Sequence, residues 1–341
     1  MSDPATEGAP GAPIIHGGNL TAMQRLFPDA PEPLIDLSTG INPHSYPIPP
    51  LPAEAFTRLP EPQTMVRLEA LAAERYGAPS AEHVVAAPGT QILLPLVASL
   101  VDPGPARVLG PTYAEHLRAA RLAGHAGQEV QSLAALAGAR LAVIVNPNNP
   151  DGRVTARTDV VEVARQVDGL LVVDEAFGEV AAEGISVASE TDTPGLLVLR
   201  SFGKFHGLAG VRLGFAITDV HTAGRLRAHL GPWAVSGPAA AIAMQALADR
   251  HWAMQMRSRL AAEAVRLDRL LQSAGLTIRG GTMLFRLVQT SDDLFHRLGR
   301  AGIIIRSFTD RPRFFRLGLP PDEAAWMRLS RALSGAAAGR R

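Results

Sequence analysis

The sequence predicts an α/β protein with a mostly parallel central sheet that carries helices on both faces. Short β-branched apolar runs alternate with longer helical patterns, and such nearly continuous apolar runs are typical of strands buried on both sides. The length of 341 residues favours about two domains, at roughly 150 residues for each. Hydrophobic residues make up 47% of the chain, which is enough to build the cores that this fold needs.

The N-terminal part of the chain gives few structural signals. Residues 1–13 lack the basic segment and the apolar segment of a secretion signal, and we expect them to be disordered. From Tyr46 to Arg67 the sequence is rich in proline, which disfavours regular helix. We therefore predict an extended segment there that connects two layers.

The remaining elements follow in a regular order. Strands of the main sheet are predicted at residues 83–87, 107–110, 141–145, 170–174, 196–201 and 212–218. Helices are predicted between the first four of these strands, at residues 92–101, 114–124 and 158–167. After Asp219 the pattern changes to helices over residues 219–230 and 237–272, followed by strands at 282–288, 302–306 and 313–319. We expect three parts: an N-terminal arm that packs with the small domain (residues 1–45), a large domain (46–230) and a smaller α+β C-terminal domain (231–341).

Composition excludes several classes of function. Lysine and arginine total 33 against 32 acidic residues, so the net charge of +1 gives no general attraction to nucleic acid or to an anionic membrane. The absence of cysteine excludes disulfides, thiolate-bound metals and a cysteine nucleophile, which fits a cytoplasmic protein, and we expect no metal site. The most apolar stretches, residues 84–101 and 231–248, are interrupted by polar residues, glycine or proline, so we predict no transmembrane helix.

Ligands of such sheets bind beyond the carboxyl ends of the strands, which makes the residues after each strand the candidates. Gly89, Thr90 and Gln91 follow the first strand in a turn that opens a helix, where backbone N–H groups suit a phosphate, although such turns also cap helices that bind nothing. Tyr113 follows the second strand and either stacks on a flat ligand or packs as a half-buried ring. Asn149 follows the third strand and offers a neutral donor.

Two charged residues at strand ends call for a specific partner. Asp174 follows four apolar residues, so its carboxylate is expected to need a cationic or protonated partner unless it is an exposed turn residue. Lys204 lies among four glycines in residues 201–215 of a chain in which arginine supplies nearly all positive charge. Arginine cannot provide a deprotonated amine, whereas a buried lysine can, and such an amine forms Schiff bases with carbonyl groups.

The order of these motifs resembles the fold-type I enzymes that use pyridoxal phosphate (PLP), in the aminotransferase class I and II group. The resemblance rests on four motifs in sequence order: Asn149-Pro150-x-Gly152, Asp174-x-Ala176-Phe177, Ser201-x-x-Lys204 and Arg212-x-Gly214. Within this group the chain is similar to the threonine-phosphate decarboxylases of cobalamin biosynthesis and, next to them, to histidinol-phosphate aminotransferases. This narrower resemblance rests on shorter sequence motifs: His16 to Leu20, Asp36 to Pro43, Asp174 to Phe177, Pro232-Trp233-x-Val235 and Ile304 to Ser307.

The resemblance implies a role for each candidate at the cofactor. Lys204 would hold PLP as a Schiff base and move protons at the substrate Cα, and Asp174 would pair with the pyridine nitrogen. Tyr113 would stack on the ring and complete the catalytic set, and Asn149 would donate to the ring 3-oxygen. The cofactor phosphate would be held by the remaining residues, namely Gly89, Thr90, Ser201 and Arg212, with Gln91 as a further backbone donor.

The resemblance also implies substrate contacts. Arg316 would grip the α-carboxylate, with Asn149 beside it, although an exposed strand arginine is an alternative. The substrate phosphate would be received by a second group: His16, Gly18, Asn19, Asn42 and Arg306. The glycine turn in that group equally suits a simple helix start.

Two positions depart from the broader family. Phe177 stands where many aminotransferases have a tyrosine that bonds the ring 3-oxygen, and phenylalanine has no such donor. Leu59 stands where histidinol-phosphate aminotransferases have a tyrosine that reaches the partner subunit's cofactor phosphate. The cross-subunit contact is therefore in doubt.

The function that the resemblance implies is decarboxylation of L-threonine O-3-phosphate to (R)-1-amino-2-propanol O-2-phosphate, by a homodimer that binds neither nucleic acid nor membrane. The alternative is an aminotransferase for histidinol phosphate or a related amino acid. A regulatory module of the same fold is disfavoured, because no basic DNA-binding segment precedes Tyr46. Nucleotide-binding and zinc-hydrolase motifs are absent from the sequence.

Overall fold

The N-terminal arm crosses to the C-terminal part of the chain. The structure is a computed structural model that describes residues 17–334. Its arm contains helix α1 (Leu20–Leu26) and strand β1 (Ile35–Asp36), and β1 pairs in parallel with the distant strand Ile303–Ile304. Ile35 lies in the same apolar cluster as Ile303, so the arm shares a core with the C-terminal part.

The proline-rich segment is more helical than predicted. It contains the short helix α2 (Glu54–Thr57), and helix α3 (Pro62–Tyr76) begins inside it. Pro62 occupies the first turn of α3. Backbone N–H groups there have no intrahelical partner, so the N–H that proline lacks would make no hydrogen bond within the helix. The prediction of an extended segment from Tyr46 to Arg67 is therefore wrong at Glu54–Thr57 and from Pro62 onward.

A seven-stranded sheet forms the centre of the fold. Its strands are β2 (Val84–Ala87), β3 (Pro105–Leu109), β4 (Ala126–Val130), β5 (Leu141–Val145), β6 (Leu170–Asp174), β7 (Leu196–Ser201) and β8 (Gly214–Thr218). Their order across the sheet is β2-β8-β7-β6-β5-β3-β4, and only β8 runs antiparallel to its neighbours. The predicted α/β class with a mostly parallel sheet is confirmed.

Apolar side chains cover both faces of this sheet. The neighbouring residues Val172 and Val173 pack into two different core clusters on opposite faces, because successive side chains of a strand point to opposite sides. Five helices follow α3 in this part of the chain: α4 (Thr90–Ala98), α5 (Glu115–Leu122), α6 (Arg157–Gln166), α7 (Phe202–Phe205) and α8 (Val220–Leu230). Burial on both faces explains why the strands read as continuous apolar runs.

Strand β4 was not predicted. It lies at the edge of the sheet, pairs only with β3, and of its residues only Val130 is fully buried. An edge strand with a largely exposed surface carries polar residues, so it lacks the apolar run by which the other strands are found.

The C-terminal part differs in detail from its prediction. The helix expected over residues 237–272 is two helices, α9 (Gly237–Ala248) and α10 (Arg250–Ser273), because the Asp249 carboxylate caps α10 by accepting from the Trp252 N–H at 2.9 Å. The strand expected at 282–288 is a hairpin. The remaining elements are β9 (Thr277–Thr282), β10 (Phe285–Gln289), α11 (Leu294–Arg300), β11 (Ile303–Ile304), β12 (Arg306–Ser307), β13 (Phe314–Gly318) and α12 (Glu323–Ser334).

Four of these strands form an antiparallel sheet in the order β12-β13-β10-β9. The predicted boundary between residues 230 and 231 stays a prediction. Helix α9, which the prediction assigns to the small domain, packs in the same core cluster as α3 and the large sheet.

Candidate active site

A cup for an anion lies at the first residues of α4. Gly89 has a φ of 89° and brings the chain so close to Arg212 that a Cβ at Gly89 would lie 2.7 Å from the Arg212 Nη2. Gly214 packs equally closely on the Thr90 N–H and pairs across the sheet with Ser201. The four residues predicted to hold the cofactor phosphate, Gly89, Thr90, Ser201 and Arg212, therefore lie together at a helix N-terminus, and one of them supplies a guanidinium.

Arg212 has a left-handed backbone with φ of 55°. This conformation costs free energy in a residue other than glycine and is found most often at functional sites. The Nη1 of Arg212 donates to the Ala209 carbonyl at 3.1 Å, which holds the side chain toward the cup.

Lys204 lies in α7, directly after β7, with its amine buried. Its Nζ donates to the Thr39 carbonyl at 3.3 Å. Burial, followed by the positive charge of Arg316, lowers the pKa of Lys204 to about 8. A substantial fraction of this amine is therefore neutral near physiological pH, which makes it a nucleophile toward a carbonyl group.

Asp174 ends β6 and is buried, as predicted, but its partner in the structure was not foreseen. The His116 Nε2 lies 2.8 Å from the Asp174 Oδ2, and the Ala176 N–H donates to Oδ1 at 2.9 Å. His116 is also buried and lies on α5, far away in sequence. No pattern in the sequence distinguishes it from an ordinary core histidine, so only the packing of α5 against β6 reveals it.

Tyr113 is held by a chain of side chains. Its hydroxyl donates to the Gln91 Oε1 at 3.0 Å, and the Gln91 Nε2 donates to the Glu115 Oε2 at 3.0 Å. Burial, followed by Glu115, raises the pKa of Tyr113 to about 12, which keeps the hydroxyl protonated. Gln91 thus orients Tyr113 through its side chain, while its predicted backbone donation to phosphate stays a prediction.

Arg316 lies on β13 with its guanidinium buried. Its Nη1 donates to the Asn149 Oδ1 at 2.5 Å, and its Nη2 donates to the Ser38 carbonyl at 2.7 Å. The Arg316 Nε is buried and has no hydrogen-bond partner among residues 17–334. Because Asn149 uses its oxygen for Arg316, its amide nitrogen remains the atom that can donate to a cofactor oxygen.

Arg306 is the direct cross-strand partner of Arg316 in the β12–β13 pair. The two side chains therefore leave the same face of the small sheet. Burial, followed by the charge of Arg306, lowers the pKa of Arg316 to about 10. Like charges in this relationship destabilise a sheet unless an anion lies near them.

The arm residues predicted to bind substrate make contacts within the chain. The Asn42 side-chain amide donates to the Phe205 carbonyl at 2.7 Å, and its Oδ1 accepts from the His44 N–H at 2.8 Å. The Gly18 N–H donates to the Ser38 Oγ at 2.9 Å, and the Asn19 Oδ1 caps α1 by accepting from the Ala22 N–H. The substrate contacts of Asn42, Gly18 and Asn19 stay predictions, and His16 lies outside the described residues.

The two departures noted in the sequence have clear positions. Phe177 is buried, and its ring packs edge-on against Phe285 with 5.1 Å between centroids. Leu59 is 63% exposed, so it presents an apolar side chain at the position where histidinol-phosphate aminotransferases have a tyrosine hydroxyl.

The family expected from the motifs is confirmed by sequence comparison. The chain matches the aminotransferase class I and II family over residues 35–325. It is 42% identical over 328 residues to a threonine-phosphate decarboxylase of Pseudomonas aeruginosa, with 94% of this chain and 97% of the relative covered. It is 39% identical over 331 residues to a threonine-phosphate decarboxylase of a Sinorhizobium species, with 95% and 98% covered.

Solved structures have the same fold. Histidinol-phosphate aminotransferase from Sinorhizobium meliloti, in complex with pyridoxal-5'-phosphate, is similar with a TM-score of 0.81 and 23% identity, covering 97% of this chain and 96% of that one. L-threonine-O-3-phosphate decarboxylase from Porphyromonas gingivalis is similar with a TM-score of 0.74 and 18% identity, covering 89% and 100%. Across residues 17–334, no helix is both long enough and apolar enough to cross a bilayer.

Proposed function

The chain belongs to the aminotransferase class I and II family, and from this premise we propose that it is a PLP-dependent decarboxylase of L-threonine O-3-phosphate. The product is (R)-1-amino-2-propanol O-2-phosphate, an intermediate of cobalamin biosynthesis. Two relatives that cover more than nine-tenths of this chain carry the name of this activity, which supports the proposal.

The observation that carries the proposal is the cross-strand pair of Arg306 and Arg316. Two guanidinium groups on one face of a sheet can bind two anionic groups of one ligand by charge-assisted hydrogen bonds. A substrate with both a carboxylate and a phosphate supplies two such groups. We assign the carboxylate to Arg316, whose buried Nε has a hydrogen to donate, and the phosphate to Arg306.

The residues present fit PLP. The cup of Gly89, Thr90, Ser201 and Arg212 would hold its phosphate, Asp174 its ring nitrogen, and the Asn149 amide its 3-oxygen. When bound, PLP withdraws electrons from the substrate Cα through its protonated ring. His116 holds the Asp174 carboxylate in one orientation, in which it would pair with the ring nitrogen, and Tyr113 would stack on the ring.

The chain's own residues would fix the orientation of the substrate carboxylate. Arg316 is fixed by Asn149 on one side and by Ser38 on the other, so a carboxylate bound to it has one orientation. Lys204, with its lowered pKa, returns a proton to Cα after carbon dioxide leaves. The net change replaces the carboxylate by a proton.

We further propose that the enzyme is a homodimer. Three large apolar side chains are exposed near α2. Phe56 lies on α2, Leu59 lies between α2 and α3, and Trp233 lies before α9, and they are 67%, 63% and 58% exposed. Large exposed side chains grouped in this way are typical of an interface between subunits. The complete lack of cysteine supports a cytoplasmic location, which we include in the proposal.

Two assays test the function. Purified protein with PLP and threonine phosphate is expected to release carbon dioxide, whereas histidinol phosphate with 2-oxoglutarate is expected to give no glutamate. Glutamate without carbon dioxide would replace the decarboxylase with the aminotransferase. Borohydride reduction is expected to attach PLP at Lys204, the single lysine of the chain, and a protein that takes up no PLP would refute the cofactor assignment.

A further inference from the structure

Ser38 contacts the start of the described arm, residues 17–26, through its side chain. It is 2% exposed, and its hydroxyl accepts from the Gly18 N–H at 2.9 Å while donating to the Asp36 Oδ1 at 2.5 Å. Asp36 also accepts from the Ser38 N–H at 2.8 Å. The hydroxyl is therefore held in one orientation, with its acceptor site toward the arm.

The same residue touches the substrate-binding arginine through its backbone. The Ser38 carbonyl accepts from the Arg316 Nη2 at 2.7 Å, and the other anchor of that guanidinium is Asn149. One residue thus contacts both the turn that begins the described arm and the guanidinium to which we assign the substrate carboxylate.

The fit between the arm and Ser38 is close. A Cβ added to Gly17 would lie 2.7 Å from the Ser38 Oγ and 2.8 Å from the Ser38 carbonyl oxygen. Gly17 does not have a positive φ, so contact and not backbone strain would displace a larger residue here. The arm therefore lies against the same carbonyl that holds Arg316.

We propose that Ser38 is a positioning residue that couples docking of residues 17–26, the start of the described arm, to the orientation of Arg316. The inference rests on the proposed function only in assigning the carboxylate to Arg316. Coupling between two contacts is reciprocal, so loosening the arm releases Arg316, and removing Arg316 loosens the arm.

Tryptic cleavage after Arg25 measures arm opening directly. Arg25 is exposed in the last turn of α1 and is the first arginine of a chain whose single lysine is Lys204. In the protein loaded with PLP and without substrate, Ser38→Ala is expected to speed release of the fragment 1–25 about fivefold, the effect of losing one hydrogen bond. The rate reports the open population because local opening is fast compared with cleavage.

A second variant attacks the same contact from the arm. Gly17→Ala is expected to speed cleavage after Arg25 to a similar extent, and it removes no atom of Ser38. Two controls match the chemistry: Ser45→Ala removes an exposed hydroxyl that bonds the Gly207 carbonyl, and Gly224→Ala adds a methyl group into open space. Wild-type cleavage rates in both Ser38→Ala and Gly17→Ala would overturn the proposal.

The coupling itself is measured by a double-mutant cycle. Arg316→Met is expected to speed cleavage after Arg25 at least twofold. In the double variant Ser38→Ala/Arg316→Met, the increase in the cleavage rate is expected to be smaller than the product of the two single increases. If trypsin cleaves the Arg316→Met variant after Arg25 at the wild-type rate, the arm is not coupled to Arg316. None of these measurements contains substrate, so failure to decarboxylate threonine phosphate would reject the proposed function and leave this result standing.

Discussion

The Nε2 of His116 lies 2.8 Å from the Oδ2 of Asp174, and both side chains are buried. The carboxylate that the sequence marks as needing a partner thus has one from the protein as well as the one proposed from the cofactor. Because the other carboxylate oxygen accepts from the Ala176 N–H, the two contacts leave Asp174 a single orientation.

His116→Ala is expected to lower kcat, or the affinity for PLP, about tenfold to a hundredfold, because a hydrogen bond to a charged group contributes about 1.5–3 kcal/mol. The measurement is PLP titration by absorbance together with decarboxylation rates. His296→Ala, which removes an exposed histidine paired with Asp293, is the control. Equal PLP affinities and equal decarboxylation rates of the two variants would show that His116 does not act at the site.

The reaction of apo-protein with PLP is expected to become faster as the pH rises, with a midpoint near the pKa of Lys204 at about 8. The sign follows because burial and then Arg316 disfavour the charged amine, and only the neutral amine attacks the aldehyde. In Arg316→Met the midpoint is expected to move to higher pH, because a neighbouring positive charge is lost. An unchanged midpoint in that variant would show that Arg316 does not act on Lys204.

Arg316→Ala and Arg306→Ala are each expected to raise KM for threonine phosphate about thirtyfold or more while changing PLP affinity little, since each removes charge-assisted hydrogen bonds to the substrate. The two variants are expected to differ with a substrate analogue that lacks the carboxylate, 1-amino-2-propanol phosphate. Its binding is expected to depend on Arg306 and little on Arg316. The reverse dependence would exchange the two assignments.

Gly89→Ala is expected to weaken PLP binding about tenfold or more. The new Cβ would lie 2.7 Å from the Arg212 Nη2, and alanine at a φ of 89° costs about 1–3 kcal/mol. Absorbance titration with PLP measures the loss, and Gly224→Ala in α8 is the matched control. Wild-type affinity in Gly89→Ala would mean that the cup of Gly89 and Arg212 does not hold the cofactor phosphate.

Phe56→Glu is expected to shift the protein from dimer toward monomer in analytical ultracentrifugation, because burying an unpaired carboxylate in an interface costs free energy. Leu122→Glu is the comparison, since Leu122 is equally exposed at 66% on the distant helix α5. Dissociation by Leu122→Glu and not by Phe56→Glu would place the interface on another surface.

Much of the site was predictable because its residues lie at strand ends. Gly89, Asn149 and Lys204 come after the ends of buried strands and Asp174 is the last residue of another, and these four strands run in the same direction and end at one edge of the sheet. Local periodicity therefore predicts both the strands and the convergence of these four residues. The errors fell where local signals mislead, as in α3, which starts at a proline, and in the polar edge strand β4.

The sequence by itself determined the fold class and the family, and it predicted the residues that we propose to hold the cofactor, because these depend on short-range patterns of apolar residues and on motifs in a given order. Only the tertiary structure brought His116 to Asp174, Arg306 beside Arg316, and Ser38 between the arm and Arg316. These contacts join residues up to 278 positions apart, as Ser38 and Arg316 are. A hydrogen bond depends on where two groups lie in space to within tenths of an ångström, and packing sets that distance where sequence spacing does not.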